Sequence, residues 1–252
     1  MSANKTIVVI PTYNEKLNLP RITHEILEQY PNLEIMIVDD NSPDGTGELA
    51  DAIAEDDPRV QVLHRKTKEG LGPAYVQGFK LALEQNYELI AQMDADGSHR
   101  TVDLRKLLDR INTDANLGFV IGSRWVSGGK VANWPLHREI LSRGANIYVK
   151  WMLDLNVADA TAGFRAYRRS ALQKIALEQV ASQGYCFQVD MTNRAISGGA
   201  TVAEVPIVFV ERIQGYSKMT GNIIKEALVS VTLWGLAAKK EKLLRFLRVS
   251  SK

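Results

Sequence analysis

Five short apolar runs punctuate the first half of the chain: residues 6–10 (TIVVI), 34–40 (EIMIVDD), 60–64 (VQVLH), 88–94 (ELIAQMD) and 118–122 (GFVIG). They are rich in Val and Ile. They lack the apolar–polar alternation of a strand with one wet face, so they read as strands covered on both sides. Between them the stretches 17–30, 45–55, 73–86 and 101–113 carry helical spacing. Asp44 and Thr46 stand ahead of one helix and Pro73 near the start of another, as helix starts favour. This alternation predicts an α/β domain built on a parallel or mostly parallel sheet flanked by helices. The second half is less regular. A loop with Trp and Gly at 125–135 precedes a helix at 138–152, a strand or edge within TAGFRAYRR (161–169), and a long helical pattern from Thr220.

In open α/β sheets, ligands gather at the carboxyl ends of the strands. Here those ends hold Pro11–Glu15, Asp39–Asp44, Asp94–Ser98 and Gly122–Arg124, all polar and all convergent if the sheet is parallel. The sharpest is Asp94-Ala95-Asp96. Two carboxylates one residue apart at a strand exit can grip one hard cation, Mg²⁺ or Mn²⁺, which in turn bridges a diphosphate. A solvated acidic turn is the plainer alternative. Asp39 and Asp40, after Ile37-Val38, can hydrogen-bond a ribose or a base edge, while Asn41, Ser42 and Asp44 also suit turn and cap chemistry. In Pro11-Thr12-Tyr13-Asn14-Glu15, Tyr13 offers an aromatic face for a base and Glu15 an acceptor. Candidate phosphate readers are Arg124, Arg138, Arg143, Arg212 and Lys218. Arg124 follows a buried strand and precedes Trp125, and Gly215 lets Arg212 and Lys218 form a flexible basic loop. The histidines (24, 64, 99, 137) have no metal-ligand spacing, and His99 is expected at the surface beside the acidic turn.

Composition narrows the class. With 252 residues, 45% hydrophobic and 24% charged, the chain is neither disordered nor fibrous. The lone Cys186 excludes an internal disulfide framework and suits a reducing compartment. The first apolar run stops at Pro11, too short for a secretory leader, and no stretch reaches the roughly 18 apolar residues of a membrane span. A cytoplasmic protein is expected. Phosphate-binding P-loop, dinucleotide and nucleophile-elbow signatures are absent. Net charge is +2, yet residues 239–252 alone carry +5. The remainder is slightly acidic, which argues against a nucleic-acid surface. In the tail, Ile223, Ile224, Ala227, Leu228, Val231, Trp234, Leu243, Leu244, Phe246 and Leu247 give an apolar helix face with late basic residues. That pattern suits an interfacial helix on an anionic membrane, or a helix docked on the core. The chain thus divides into a main α/β unit (1–219), the candidate catalytic unit, and an amphipathic basic helix (220–252).

Taken together, VVIPTYNE (8–15), IVDDNSPDGTGE (37–48), GLGPAYVQGF (70–79), MDADGSH (93–99), IGSRWV (121–126), Arg138–Ser142 with RGAN (143–146), DATAGFRAY (159–167), GYCFQVDM (184–191) and the ER-x-x-GYSKM segment (211–219) form a signature. The sequence resembles the family-2 glycosyltransferases of the GT-A (Rossmann-like) fold, and within them the dolichol-phosphate and polyprenyl-phosphate mannose synthases. It looks most like the actinobacterial polyprenyl monophosphomannose synthases. The resemblance implies GDP-mannose as donor, polyprenyl phosphate as acceptor, and Mg²⁺ or Mn²⁺. It places Pro11, Tyr13, Glu15, Ile37, Asp39 and Asp40 around the donor nucleoside, and Asp94, Ala95 and Asp96 at the metal and diphosphate. Arg124, Arg138 and Ser142 fall at the acceptor phosphate, with Arg212 and Lys218 closing over the donor. Asp96, Arg124, Arg138 and Arg212 would carry catalysis. Many relatives have Leu-Gln after the DAD, the Gln reaching the metal; here Gly97-Ser98 stand there, leaving Ser98 or a water as third ligand. The implied enzyme is peripheral on the inner face of the cell membrane, in some relatives with a membrane-protein partner. A family-2 transferase using UDP-glucose and a non-catalytic nucleotide-sugar-binding scaffold are the alternatives.

Overall fold

The structure is a computed structural model and describes residues 4–180, 184–211 and 221–249. Its strands are Thr6–Thr12 (β1), Leu33–Asp39 (β2), Val60–His64 (β3), Leu89–Gln92 (β4), Leu117–Ser123 (β5), Lys130–Ala132 (β6), Arg165–Arg168 (β7), Thr201–Pro206 (β8) and Val208–Val210 (β9). Its helices are Leu19–Gln29 (α1), Thr46–Asp56 (α2), Leu71–Glu84 (α3), Thr101–Thr113 (α4), Leu136–Leu153 (α5), Arg169–Gln173 (α6), Gly184–Ser197 (α7) and Gly221–Val249 (α8). The main sheet runs β3-β2-β1-β4-β7-β5-β8, and β6 pairs with β9 in a small second sheet. All main-sheet pairings are parallel except those of β7, which lies antiparallel between β4 and β5. The α/β architecture with a mostly parallel sheet is therefore the one the sequence predicts.

Two cores explain the missing alternation in the strands. Ile7 and Val9 of β1 and Met36 and Val38 of β2 face one core with Tyr75, Phe79, Phe119 and Phe187. Val8, Ile10, Ile35 and Ile37 face the other, with Leu19, Ile22, Leu104 and Leu107. Each strand is apolar on both sides because helices cover both. Helix α3 crosses so close that a Cβ on Gly78 would sit 2.5 Å from Val9 Cγ1, so only glycine fits there.

The second half holds elements that the sequence pattern does not reveal. Residues 186–192 of α7 are all buried, so the helix shows no polar stripe for periodicity to detect. β6 and β9 are three residues each, too short to read. Helix α8 packs on α5 and α7. Val231 is buried in the core, Gly235 lies against the Met152 carbonyl, and Tyr148 Oη meets Thr232 Oγ1 at 2.6 Å. Trp234 packs partly buried against the same core, whereas Leu228, Val229, Leu233, Leu236 and Leu244 are exposed. The side chains of Ile223, Ile224, Leu243, Phe246 and Leu247 lie outside the described residues. Among the described residues, no helix is long and apolar enough to cross a membrane.

Candidate active site

Adjacency of β2, β1 and β4 sets their exits side by side. The first two are laced together. Thr12 Oγ1 donates to Asp39 Oδ1 (2.9 Å), the Asn14 N–H to Ser42 Oγ (3.1 Å) and the Glu15 N–H to Thr46 Oγ1 (3.0 Å). Asp39 also accepts the Ser42 N–H at 3.0 Å and its hydroxyl at 2.6 Å. Tyr13 lies at this rim with Lys68 Nζ 3.7 Å from its ring centroid, and Glu15 accepts from Asn18 Nδ2 at 2.9 Å.

Four residues expected around the donor are buried within the protein. Asp40 is buried against the Arg65 guanidinium and accepts the Gly70 N–H (2.9 Å) and the Glu69 N–H (3.2 Å). It fixes the loop ahead of α3, since a buried carboxylate requires such partners. Ile37 is fully buried in the core of β2, so its side chain supports the exit from below. Pro11 and Ala95 are buried likewise.

The acidic turn is held from several directions. Tyr75 Oη donates to Asp94 Oδ1 at 2.8 Å, and burial, then the Asp94 charge, push that phenol's pKa well up, so it remains a donor. The Asp94 N–H donates to His99 Nδ1 at 3.1 Å. His99, expected at the surface, is buried and stacks on Phe164 with ring centroids 4.8 Å apart. Burial lowers its pKa, and an Nδ1 that accepts a backbone N–H carries no proton, so the ring is neutral. Asp96 Oδ1 accepts the Ser98 N–H at 3.0 Å. Gly163 approaches so near that a Cβ would lie 3.3 Å from Asp94 Oδ2 and 3.4 Å from Gln188 Nε2.

This donor set fits a hard divalent cation. Asp94 and Asp96 supply carboxylates, and the buried Ser98 Oγ has no hydrogen-bond partner among the described residues. Among the described residues, no group of three or more His, Cys, Asp or Glu side chains forms a ready metal site. Further ligands would come from a bound diphosphate.

Beside the acidic turn stands a cluster of arginines and aromatic rings. Phe209 joins the two, its ring centroid 5.5 Å from that of His99 and 5.5 Å from Arg124 Cζ. Strand β9 is tied to the turn through the Val210 N–H to the Ser98 carbonyl, 3.0 Å. Arg124 Cζ lies 5.6 Å from the Trp134 ring, Arg138 Cζ 4.1 Å from the same ring, and Arg143 Cζ 4.1 Å from Trp125. Arg124 is not an exposed guanidinium. Its Nε and Nη2 bond Asp159 at 2.8 and 2.7 Å, and Nη2 also reaches Thr161 Oγ1 at 2.8 Å. Arg138 pairs with Glu211, and Arg143 with Glu139 at 2.8 Å. Ser142 is half-buried one turn after Arg138, its carbonyl accepting from Asn146 Nδ2 at 3.0 Å. Arg212 and Lys218 lie outside the described residues.

Sequence reasoning missed Tyr75, Asp159, Arg165, Trp134 and Phe209. Arg165 is wholly buried and donates to the Ala162 and Ala160 carbonyls, both at 2.8 Å, so it shapes the 159–163 loop from within. Only a charged residue inside an apolar strand hinted at it.

A polar rim at β1 and β2, a two-carboxylate turn at β4 and a basic cluster beyond it belong to the GT-A glycosyltransferase architecture. Solved structures share that fold. Glucosyl-3-phosphoglycerate synthase of Mycobacterium tuberculosis, with Mn²⁺, UDP-glucose and glycerol 3-phosphate, superposes with a TM-score of 0.68 at 17% identity over 92% of this chain and 81% of that one. The mannosyltransferase PcManGT of Pyrobaculum calidifontis, with GDP-Man and Mn²⁺, gives 0.58 at 18% over 94% and 64%. The chain belongs to glycosyl transferase family 2, whose model matches residues 7–176. It is 50% identical over 239 residues to a polyprenol monophosphomannose synthase of Mycolicibacterium smegmatis, covering 94% of this chain and 89% of that one. It is also 50% identical over 239 residues to an undecaprenyl-phosphate mannosyltransferase of Micrococcus luteus, covering 95% and 97%.

Proposed function

We propose that this protein transfers mannose from GDP-mannose to a polyprenyl phosphate, with inversion at the anomeric carbon. The observation that carries the reading is the junction at Phe209, which sets the two-carboxylate turn directly beside the Arg124, Arg138 and Arg143 cluster. The 50%-identical relatives, matched over almost their whole length, support mannose and a lipid phosphate as the substrates. Asp39, Tyr13 and Glu15 hold the nucleoside at the β1–β2 rim. Asp94, Asp96 and Ser98 hold a divalent cation, which when bound offsets charge on the leaving diphosphate. Arg138 and Ser142 meet the acceptor phosphate, and Arg124, fixed by Asp159, lines the floor beneath it. Arg212 and Lys218 close over the donor. A phosphate monoester has a second pKa of about 6 and is mostly dianionic near neutrality, so no general base is required. The chain's residues act by positioning and by charge. Residues 1–219 form the catalytic unit and 220–252 a helix that rests on the inner face of the cell membrane, with a membrane-protein partner as an additional anchor.

The test is transfer of labelled mannose from GDP-mannose to polyprenyl phosphate, with UDP-glucose as a competing donor. Asp96→Ala is expected to abolish transfer while the fold survives. Undiminished turnover in that variant removes the metal site, and preferred glucose transfer removes the donor assignment.

A further inference from the structure

The loop between β3 and α3 is tied at both ends to the residues that finish β2. At its start, the Arg65 N–H donates to the Asp39 carbonyl at 2.9 Å, and the Arg65 guanidinium pairs with the buried Asp40 carboxylate. At its end, the same carboxylate accepts the Glu69 N–H at 3.2 Å and the Gly70 N–H at 2.9 Å. Gly70 has a φ of +99°, a conformation open to glycine, and there the chain turns into α3. Breaking a buried pair strands a charge, so these ties are firm. Residues 66–69 are thereby fixed beside the exit of β2, with Lys66 and Lys68 both exposed.

Of these two cations, Lys68 reaches the rim itself. Its Nζ stands 3.7 Å from the centroid of the half-buried Tyr13 ring, at the close end of the cation–π range. An ammonium placed there meets any heterocycle that approaches Tyr13. It carries three donors and no acceptor, so it favours a base edge made of acceptors. Guanine offers O6 and N7 side by side, a pair that lysine reads well. Adenine offers N7 next to an N6 amino group, which is itself a donor and faces the ammonium with like polarity. Hypoxanthine keeps O6 and N7 and lacks only the 2-amino group, which lies on the far side of the ring.

We propose that Lys68 determines the base specificity of the donor site, donating to O6 and N7 of a guanine at the Tyr13 rim. The inference rests on the proposed guanine nucleotide donor and names the side chain that selects it. Calorimetric titration of the full chain with GDP, IDP and ADP, each in the presence of Mn²⁺, measures it without reference to turnover. The parent chain should bind GDP and IDP alike and ADP at least tenfold more weakly. Lys68→Met, at an exposed position, should weaken GDP and IDP by roughly tenfold or more and leave ADP unchanged, so that the preference collapses. Lys68→Arg should restore most of it. Lys66→Met, which removes the same charge from the same loop, should leave all three affinities as they are. Equal losses for GDP, IDP and ADP in Lys68→Met overturn the proposal in favour of a contact to the diphosphate they share. A parent chain that prefers GDP, with a Lys68→Met variant that prefers it equally, overturns the role of Lys68 and leaves the donor reading standing. A parent chain that prefers ADP, or UDP offered in the same assay, sinks the guanine donor and the proposal with it.

Discussion

Tyr75 makes one polar contact that matters to the site, the 2.8 Å hydrogen bond to Asp94. Burial keeps its phenol protonated, so it orients the carboxylate without competing for a proton. Partners of this kind typically change metal affinity tenfold or more. Tyr75→Phe is therefore expected to raise the metal concentration for half-maximal transfer by about tenfold, with little change in secondary structure by circular dichroism. Asp103 acts on stability instead. Its fully buried carboxylate accepts from Arg100 Nε (2.8 Å), Lys106 Nζ (2.7 Å) and the Val208 N–H (3.1 Å), tying α4 to β9. Burial alone would raise its pKa; these bonds outweigh it and hold the value below the usual 3.8. A folded value below the unfolded one means that the stabilisation is complete above 3.8 and drains as pH falls through the folded value. Asp103→Asn should cost about 1.5–3 kcal/mol near pH 7 by urea unfolding, and the difference should shrink in acid below pH 3.8. Which residues were legible follows from distance along the chain. Asp39, Asp94 and Asp96 were, because a polar cluster at the end of an apolar run is local. The partners of Asp40, Arg124 and Arg138 were not, since they lie 25, 35 and 73 residues away.

Among the elements, α5 and the 159–163 loop behave as one unit. Asn146 Nδ2 reaches Thr161 Oγ1 at 3.0 Å and Asp159 Oδ1 at 3.3 Å, and Glu204 of β8 accepts the Ala158 and Asp159 N–H groups at 2.7 and 3.0 Å. Arg124 closes the network from the end of β5. Its removal leaves Asp159 buried and charged, which commonly costs 3–5 kcal/mol. Arg124→Ala should therefore lower the urea midpoint by an amount corresponding to about 3–5 kcal/mol and weaken transfer with it. The Asp159 pair makes loss of stability the larger effect of this variant. The network also explains which elements could be read. β1 to β5 and α1 to α5 announce themselves through their own patterns. β7 fits between β4 and β5 antiparallel, and β8 and β9 form edges and stitches whose short runs acquire meaning only from long-range partners.

At the level of the whole molecule, the fold class was written in the alternation of strand and helix, while the composition of the site depends on something the chain does not provide. If Asp94 and Asp96 hold a divalent cation, they would supply only part of its ligands, since no third His, Cys, Asp or Glu joins them among the described residues. If a diphosphate supplies the rest, cation and nucleotide favour each other's binding by the same factor, as linkage requires. The acidic turn is joined to both cores: Tyr75 comes from one, and Phe164, stacked on His99, from the other. Occupancy should therefore stabilise the global fold rather than one loop. With Mn²⁺ and GDP together at about 100 times their dissociation constants, the gain should be about 2.7 kcal/mol, or a rise in melting temperature of roughly 5–11 °C. Mn²⁺ alone or GDP alone should give much less than half of that shift. Asp96→Ala should lose the joint effect while keeping the melting temperature of the ligand-free chain. UDP in place of GDP separates recognition of the base at the Asp39 rim from recognition of the diphosphate, because only the first changes. Shifts from metal and nucleotide that simply add would mean that the two bind apart, and the acidic turn would then have no role in holding the donor.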